Sequence, residues 1–198
     1  DAGMREALEE IGRLVGKDRA VWKFSEATRL VAQTRNKEAG PLALARARRL
    51  LKEAREERPD WHALSRLQAE IHLMDGDEES AIEMFQQSLE KGPAEPRIVR
   101  QLVDILLKRN QLEQAEATLR HLDTSQWTDL ERRQHSRILA ALGKTEEAEK
   151  LAQKIAKTSQ YAEDHLWLAQ VLRSTKRLAE AETSLRRAIE LEPQREKA

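Results

Sequence analysis

The segment Gly143-Lys144-Thr145 is the first place where the chain could bind an anion by a familiar chemistry. It matches the end of a phosphate-binding loop, in which backbone N–H groups, a lysine and a hydroxyl hold nucleotide phosphates and magnesium. The complete motif requires an earlier glycine, and Ile138 occupies that position, with no predicted strand before it. The pattern therefore indicates a turn followed by a helix, and no nucleotide site is predicted.

Acidic and histidine side chains are the next candidates, because they could hold a metal ion. Asp75, Asp77 and Glu79 lie close together, but this stretch lacks the length and the terminal bidentate glutamate of a calcium loop. The histidines show no i, i+3 or i+4 pair that would place two zinc ligands on one helix face. They are His62, His72, His121, His135 and His165. No cysteine and no nucleophile elbow are present, so no metal, cofactor or catalytic residue is predicted.

The composition favours helices and limits the partners. Of 198 residues, 35% are charged and only 4% aromatic, and no stretch alternates as a strand would. The 35 basic and 35 acidic residues give zero net charge, which does not favour nucleic acid or an anionic membrane as a partner. No apolar run reaches the ~20 residues of a membrane span, and no direct membrane insertion is predicted. The lack of cysteine fits the cytoplasm and the bacterial periplasm equally well, and no oligomeric state is predicted.

Small residues recur with a fixed period along almost the whole chain. Five alanines, separated by 34, 34, 33 and 33 residues, are Ala47, Ala81, Ala115, Ala148 and Ala181. The residues four positions later are Leu51, Phe85, Leu119, Ala152 and Leu185. Prolines follow several copies at Pro59, Pro93 and Pro193. Turn-forming residues stand five positions before three of the alanines, at Gly76, Asn110 and Gly143.

This spacing resembles the tetratricopeptide repeat (TPR), a helix–turn–helix unit of about 34 residues. The copy that fits best contains Ala69, Gly76, Asp77, Ala81, Phe85 and Pro93, whereas Trp127 and Gln160 stand where the family usually has proline. The resemblance implies an all-α fold, a right-handed α-α superhelix of about five helix pairs after an N-terminal partial repeat. We predict a single TPR solenoid domain over 1–198, with repeats near 20–59, 60–93, 94–127, 128–160 and 161–193. Because the chain starts at Asp1 rather than methionine, we expect it to be an excerpt of a longer one.

Local patterns predict eleven helices, with the two helices of each repeat on either side of a short turn. They are expected near 3–15, 20–34, 42–57, 61–74, 78–91, 96–109, 112–122, 128–141, 145–157, 162–174 and 178–191, with Pro193 ending the last. The helix near 96–109 carries its apolar residues at i, i+3, i+4 and i+7 spacing, which one helix pair cannot bury alone. Asp77 and Thr145 are predicted N-caps. Trp61 and Trp127 are expected to pack at junctions between repeats.

The resemblance implies a protein-interaction scaffold that is not an enzyme, in which the first helix of each pair lines a concave groove. The predicted partner-binding residues on these helices are Arg66, Arg97, Arg100, Asp104, Arg133, Arg137, Trp167, Gln170 and Arg173. Basic groups predominate, and arginine forks suit carboxylates, so the groove would favour an acidic protein or peptide as its partner. Trp167 could provide an aromatic floor. Alternatively, these arginines only solvate the helix faces and pair with neighbouring acids.

Some TPR domains clamp the carboxylate end of heat-shock chaperones with lysines and asparagines on their inner helices. The aligned positions here are Arg66, Glu70, Arg100 and Asp104. Since acids replace the asparagines, chaperone-tail binding is not expected. Two other functions stay open: an accessory segment of a larger bacterial enzyme or of an exopolysaccharide or secretion assembly, and a structural spacer between two domains.

Overall fold

Helices account for most of the described chain. The computed structural model of this protein describes residues 2–192, apart from the side chains of Ala2, Met4 and Gln126. This part of the chain holds eleven α-helices, one short 3-10 helix and no strand, which confirms the predicted all-α repeat. The α-helices are α1 (Ala2–Val15), α2 (Ala20–Arg35), α3 (Pro41–Glu57), α4 (His62–Met74), α5 (Glu78–Lys91), α6 (Pro96–Lys108), α7 (Leu112–Leu119), α8 (Asp129–Ala141), α9 (Thr145–Thr158), α10 (Ala162–Ser174) and α11 (Leu178–Leu191).

One helix end differs clearly from the predicted map. The helix expected over 112–122 ends at Leu119, and a 3-10 helix follows at Thr124–Gln126. The backbone N–H groups of His121 and Leu122 each bond to the carbonyl oxygen three residues earlier, at 3.1 Å. Bonds of this spacing tighten the backbone to 3-10 geometry, which explains why the α-helix stops one turn early.

The phased alanines mark the closest contacts between helices. Ala47, Ala81, Ala115 and Ala148 are 0% exposed, and Ala181 is also buried. Small side chains at these positions let helices approach closely in a densely packed interior, as their period predicted. The residue four positions later is buried in the first four repeats, whereas Leu185 is 43% exposed. Leu185 lies on α11, after which no further helix is described.

A left-handed backbone position marks the turn inside four of the repeats. These residues stand five positions before the phased alanine and have φ angles of 78°, 56°, 75° and 62°, respectively, at Gly76, Asn110, Gly143 and Lys176. Sequence reasoning found the first three because glycine and asparagine adopt this conformation readily. It missed Lys176, since a lysine does not signal positive φ. For a residue with a Cβ atom, this conformation costs about 1–2 kcal/mol.

The two predicted N-caps have different outcomes. The Asp77 carboxylate accepts the backbone N–H of Ser80 at 3.1 Å at the start of α5, so this cap is confirmed. The prediction for Thr145 is wrong, because Thr145 is already the first residue of α9 and Lys144 takes the capping position. The Thr145 hydroxyl donates to the carbonyl oxygen of Gly143 at 3.4 Å instead of accepting a helix N–H.

The chain divides into two compact units, Asp1–Ile98 and Val99–Ala198. In the first, α2 packs against α3 and α4 against α5. In the second, α8 packs against α9, and α10 packs against both α9 and α11. These contacts join four of the five predicted helix pairs. The single domain over 1–198 stays a prediction, and the helix stop at Pro193 lies outside the described residues.

Each unit contains an apolar core built from both helices of its repeats. In the first unit the buried residues include Ala27, Leu30, Val31, Leu44, Ala47, Leu51, Leu64, Leu67 and Ile71. In the second they include Ala152, Ala156, Leu168, Ala169, Leu172 and Ala181, with Trp167 packed against them. A single pair could not cover these faces, so neighbouring pairs stabilise each other by stacking.

Two tryptophans pack at junctions between repeats, as predicted. The ring of Trp61, just before α4, lies 4.7 Å from that of Phe24 on α2, measured between centroids. Trp127, just before α8, is buried and donates its indole N–H to the carbonyl oxygen of Leu122 at 3.2 Å. Both rings therefore connect the entry of one helix pair to the pair before it.

Candidate functional site

The first helix of each pair carries the predicted binding residues, and we call the exposed side of these helices within one unit the first-helix surface of that unit. In the first unit it is formed by α2, α4 and the start of α6 up to Ile98. In the second unit it is formed by the rest of α6, by α8 and by α10.

In the first unit, the first-helix surface contains a pocket of about 260 Å³. Phe24 and Val31 of α2 and Leu67 of α4 contribute apolar atoms to it. The predicted residues Arg66 and Arg97 also line it, so these two residues do lie together. The pocket thus combines an apolar floor with charged groups at its edge.

The arginines around this pocket are paired with carboxylates. Arg66 forms an ion pair with Glu95, and Arg35 forms one with Glu70. Arg97 lies 3.5 Å from Glu70, measured between Nη2 and Oε1. Glu70 therefore serves two arginines, and the edge of the pocket carries charges of both signs.

Two arginines of the second unit are held in the same way, each by an acid of the next repeat. Arg100 on α6 pairs with Glu131 on α8, whose side chain is 1% exposed. Arg133 on α8 donates two hydrogen bonds to Asp164 on α10, 2.6 Å from Nε to Oδ1 and 2.8 Å from Nη2 to Oδ2. Charge-assisted bonds of this bidentate kind are stronger and more directional than those between neutral groups.

The two buried acids also accept bonds at the start of their own helices. Glu131 accepts the backbone N–H of Thr128 at 2.6 Å, and Asp164 accepts the hydroxyl of Ser159 at 2.5 Å. Burial alone raises the pKa of each carboxyl, but these bonds and the neighbouring arginine outweigh it, so both pKa values lie below their ordinary range. Both groups are therefore ionised at neutral pH.

Trp167 and Arg137 form a different arrangement in the second unit. The guanidinium of Arg137 lies over the indole ring at 5.8 Å from its centroid, a cation–π geometry. The indole N–H of Trp167 donates to the hydroxyl of Ser136 at 2.9 Å, which in turn donates to the carbonyl oxygen of Ala148 at 2.9 Å. These bonds fix the ring between α8 and α10.

The remaining predicted residues are exposed. Asp104 accepts a bond from the Gln134 amide at 3.4 Å, while Gln170 and Arg173 extend from α10 into solvent. Within residues 2–192, neither Arg137 nor Arg173 forms an ion pair with a carboxylate. These two arginines are the predicted cations whose charge is available to a partner.

Within 2–192, no three histidine or acidic side chains converge as metal ligands would. None of the helices in that range combines the length and apolar character that crossing a bilayer requires.

Family models of the tetratricopeptide repeat match the chain over residues 44–96 and 133–196, and over 72–126. The first of these models alone covers more than half of the 198 residues. The chain belongs to the tetratricopeptide-repeat family. Its repeats are those of a protein-interaction scaffold. No curated protein matches this TPR chain by sequence.

Solved TPR structures share the fold at low sequence identity. YrrB, described as a TPR protein with an unusual peptide-binding site, matches with a TM-score of 0.70 and 19% identity, over 96% of this chain and 93% of its own. MamA matches in several forms. One has a TM-score of 0.66 and 15% identity, over 88% of this chain and 92% of its own. Another has a TM-score of 0.64 and 13% identity, over 88% of this chain and 94% of its own. These structural matches establish the fold of this TPR chain. At such low sequence identity they do not identify its partner.

Of the six arginines predicted to bind a partner, four are not available as free cations. Arg66, Arg97, Arg100 and Arg133 each pair with a carboxylate. The alternative that the sequence left open, pairing with acids, therefore describes these four. Glu131 and Asp164 are almost fully buried, and a buried carboxylate is unfavourable without a counterion, which is the physical reason for the pairs of Arg100 and Arg133.

Sequence reasoning missed the acids that neutralise Arg100 and Arg133 in this TPR chain, although a signal was present. Arg100 and Glu131 are 31 residues apart, and so are Arg133 and Asp164. The same separation in consecutive repeats, at nearly the repeat period, places each arginine beside the acid of the next first helix. Searching for charge pairs at that separation would have found both.

Proposed function

We propose that this chain is a non-catalytic scaffold that binds an extended peptide of a partner protein on the first-helix surface of its first unit. The observation that carries the proposal is the pocket of about 260 Å³ in the first unit. Its apolar floor could take one side chain of the peptide, while Arg66, Glu70 and Arg97 at its edge could bond to polar groups. Ligand sites commonly combine an apolar lining with a few placed polar groups.

The acidic character of the partner is proposed for one part of the surface only. In the first unit, arginines and glutamates neutralise each other, so that pocket favours a peptide of mixed polarity. In the second unit, Arg137 beside Trp167 and Arg173 are the cations that a carboxylate of the ligand could meet. Exposed ion pairs contribute about 0–1 kcal/mol each, so contacts with Trp167 would supply much of the binding free energy of a ligand in the second unit.

The same features support protein rather than nucleic acid as the partner. The chain has equal numbers of acidic and basic residues, and most arginines of the first-helix surface already have a counterion. Binding to a phosphate backbone depends on several available cations that release counterions.

Selection of peptides on the whole chain tests the proposal. A phage-displayed library of random dodecapeptides is selected on the immobilised protein, and enriched peptides are labelled and measured by fluorescence anisotropy. Replacing Thr28, an exposed residue of α2 that lines the pocket, by tryptophan should weaken binding at least tenfold because the ring fills the pocket. The matched control is Glu90→Trp on the exposed side of α5, which should change the affinity less than twofold.

Two results would overturn the proposal. One is that no peptide is enriched over an unrelated helical protein. The other is that enriched peptides bind Thr28→Trp as tightly as the parent, which would place their site elsewhere. For peptides rich in acids, Arg137→Glu and Arg173→Glu should weaken binding and remove its salt dependence.

A further inference from the structure

The second helices of the first unit form a groove that the function proposed above does not use. It lies between α3 and α5, with α4 at its base, and has a volume of about 390 Å³. Leu51 and Ile71 contribute apolar atoms to its floor and Met84 to one wall. This volume falls within the ~300–1,000 Å³ typical of ligand pockets.

The groove lies on a different face of α4 from the pocket of the first-helix surface. Leu67 and Glu70 line that pocket, whereas Gln68 and His72 line this groove. A ligand in one site therefore contacts different side chains from a ligand in the other. The two sites can be tested independently.

The charged side chains that line the groove are all basic, although the chain as a whole has no net charge. Arg48, Lys52 and Arg55, spaced along one face of α3, all line it, and no aspartate or glutamate is among its described lining residues. Arg48 pairs with Asp75, which lies outside the lining. Lys52 is exposed and has no ion-pair partner in the part of the chain that the structure describes.

Arg55 is the decisive residue, because it is half-buried and its bonds go to neutral oxygens. Its guanidinium donates to the hydroxyl of Ser65 at 3.3 Å, to the amide oxygen of Gln68 at 3.1 Å and to that of Gln87 at 3.5 Å. The Ser65 hydroxyl donates to the same Gln87 oxygen at 2.7 Å. Helices α3, α4 and α5 thus hold the guanidinium in place, and no carboxylate of the described residues 2–192 pairs with it.

We propose that the groove between α3 and α5 binds an acidic peptide segment, with Arg55 and Lys52 receiving its carboxylates and Leu51, Ile71 and Met84 receiving an apolar side chain. Three observations favour this occupant. The cation is fixed before binding, so little side-chain order is lost. It has five N–H donors, more than its neutral partners use, and a carboxylate would form stronger, charge-assisted bonds. The apolar floor beside the cations requires a ligand that carries both kinds of side chain.

Fluorescence anisotropy on the full chain, at low ionic strength, tests the site with defined probes. The probe is a labelled peptide made of three glutamate-glutamate-leucine triplets, and the control peptide has glutamine in place of glutamate. We expect the acidic probe to bind at least tenfold more tightly than the glutamine peptide. Its affinity should fall as salt is added.

Variants of the groove then locate the binding. Lys52→Glu changes an exposed residue and Arg55→Gln removes the half-buried charge, and each should weaken binding of the probe at least tenfold. The matched control is Arg49→Glu, the same charge reversal on an exposed residue of α3 that does not line the groove. It should change the affinity less than threefold. If Arg55→Gln unfolds the chain, the effect of Lys52→Glu still shows whether the probe binds in the groove.

Three outcomes would overturn this inference. The first is that the acidic probe binds no better than the glutamine peptide. The second is that Arg49→Glu weakens binding as much as Lys52→Glu, which would show diffuse attraction to α3. The third is that Thr28→Trp abolishes binding of the probe, which would assign it to the first-helix surface. Failure of the function proposed above appears instead as unchanged binding of library-selected peptides to Thr28→Trp, while the probe still responds to Lys52→Glu.

Discussion

Arg133 of α8 and Asp164 of α10 are joined by two parallel hydrogen bonds, 2.6 and 2.8 Å long, although the Asp164 side chain is only 4% exposed. The guanidinium also lies over the ring of Tyr161, 4.9 Å from its centroid. The arginine that the sequence predicted to bind a partner thus holds two first helices together. Its role in this structure is packing between repeats.

Removing Arg133 while keeping Asp164 should destabilise the protein. Arg133→Met leaves a buried carboxylate without its counterion, and we expect the free energy of unfolding to fall by about 1–3 kcal/mol. The double variant Arg133→Met with Asp164→Leu should recover most of this loss, because neither charge is then buried alone. Urea denaturation followed by circular dichroism measures both.

The neighbouring residue provides the control for that experiment. Arg132 pairs with Asp129 at 2.9 Å, but the two side chains are 34% and 69% exposed. Exposed pairs contribute about 0–1 kcal/mol, so Arg132→Met should be nearly neutral. Equal effects of Arg132→Met and Arg133→Met would contradict the structural role assigned to the buried pair.

Acid should weaken the contribution of Asp164. Its pKa is lowered in the folded protein, so the unfolded chain takes up a proton first as the pH falls. The stabilisation is complete above the unfolded pKa of about 3.9 and is lost as the pH falls through the folded pKa. The difference in unfolding free energy between the parent and Asp164→Asn should therefore be constant from pH 7 to about 5 and shrink below about 4. Urea midpoints at pH 7, 5, 4 and 3 test this, and a difference that stays constant down to pH 3 would refute it.

The phased alanines predict a sharp contrast between two neighbouring positions. Ala115 is 0% exposed, whereas Ala117 on the same helix is exposed. Ala115→Phe should overpack the contact between helices and destabilise the protein by about 1–3 kcal/mol. Ala117→Phe should stay within about 0.5 kcal/mol of the parent. If the two variants unfold at the same urea concentration, the assigned phase of the repeat is wrong.

The left-handed turn residue Lys176 offers a stabilising substitution. Its φ of 62° strains a side chain with a Cβ atom, while glycine adopts this angle freely. Lys176→Gly should raise the free energy of unfolding by about 0.5–1 kcal/mol, and Lys176→Ala should not. The reverse change, Gly143→Ala, should lower it, because the backbone there has a φ of 75°. Thermal melts of the three variants measure these shifts.

The helices and their contacts could be predicted because both depend on a period that the sequence repeats. Ala115 and its equivalents are spaced by the repeat itself, so their burial follows from one pattern. Lys176 could not be found in this way. Its backbone angle is imposed by the turn between α10 and α11, which has the same geometry as the turns of other repeats, and a lysine does not signal that geometry.

The binding surface was harder to predict because a helical wheel assigns a residue to a face but not to a partner. Arg100 and Arg133 do lie on first helices, yet their charges are neutralised by acids of the following repeat. Arg55 lies on a second helix, and no sequence pattern indicates its role, since that role depends on three neutral partners that come from two other helices. Such a site exists only after the helices have packed.

The chain of ion pairs from α6 to α8 and from α8 to α10 has a consequence for unfolding. Arg100 and Glu131 join one repeat to the next, and Arg133 and Asp164 join that repeat to the one after it. When α10 opens, Arg133 loses its counterion, and when α8 opens, two pairs break at once. In repeat proteins, coupling between neighbours determines how far an opening spreads. The amide protons of α8 and α10 should therefore exchange with solvent in one cooperative step, with similar free energies of opening, and not helix by helix.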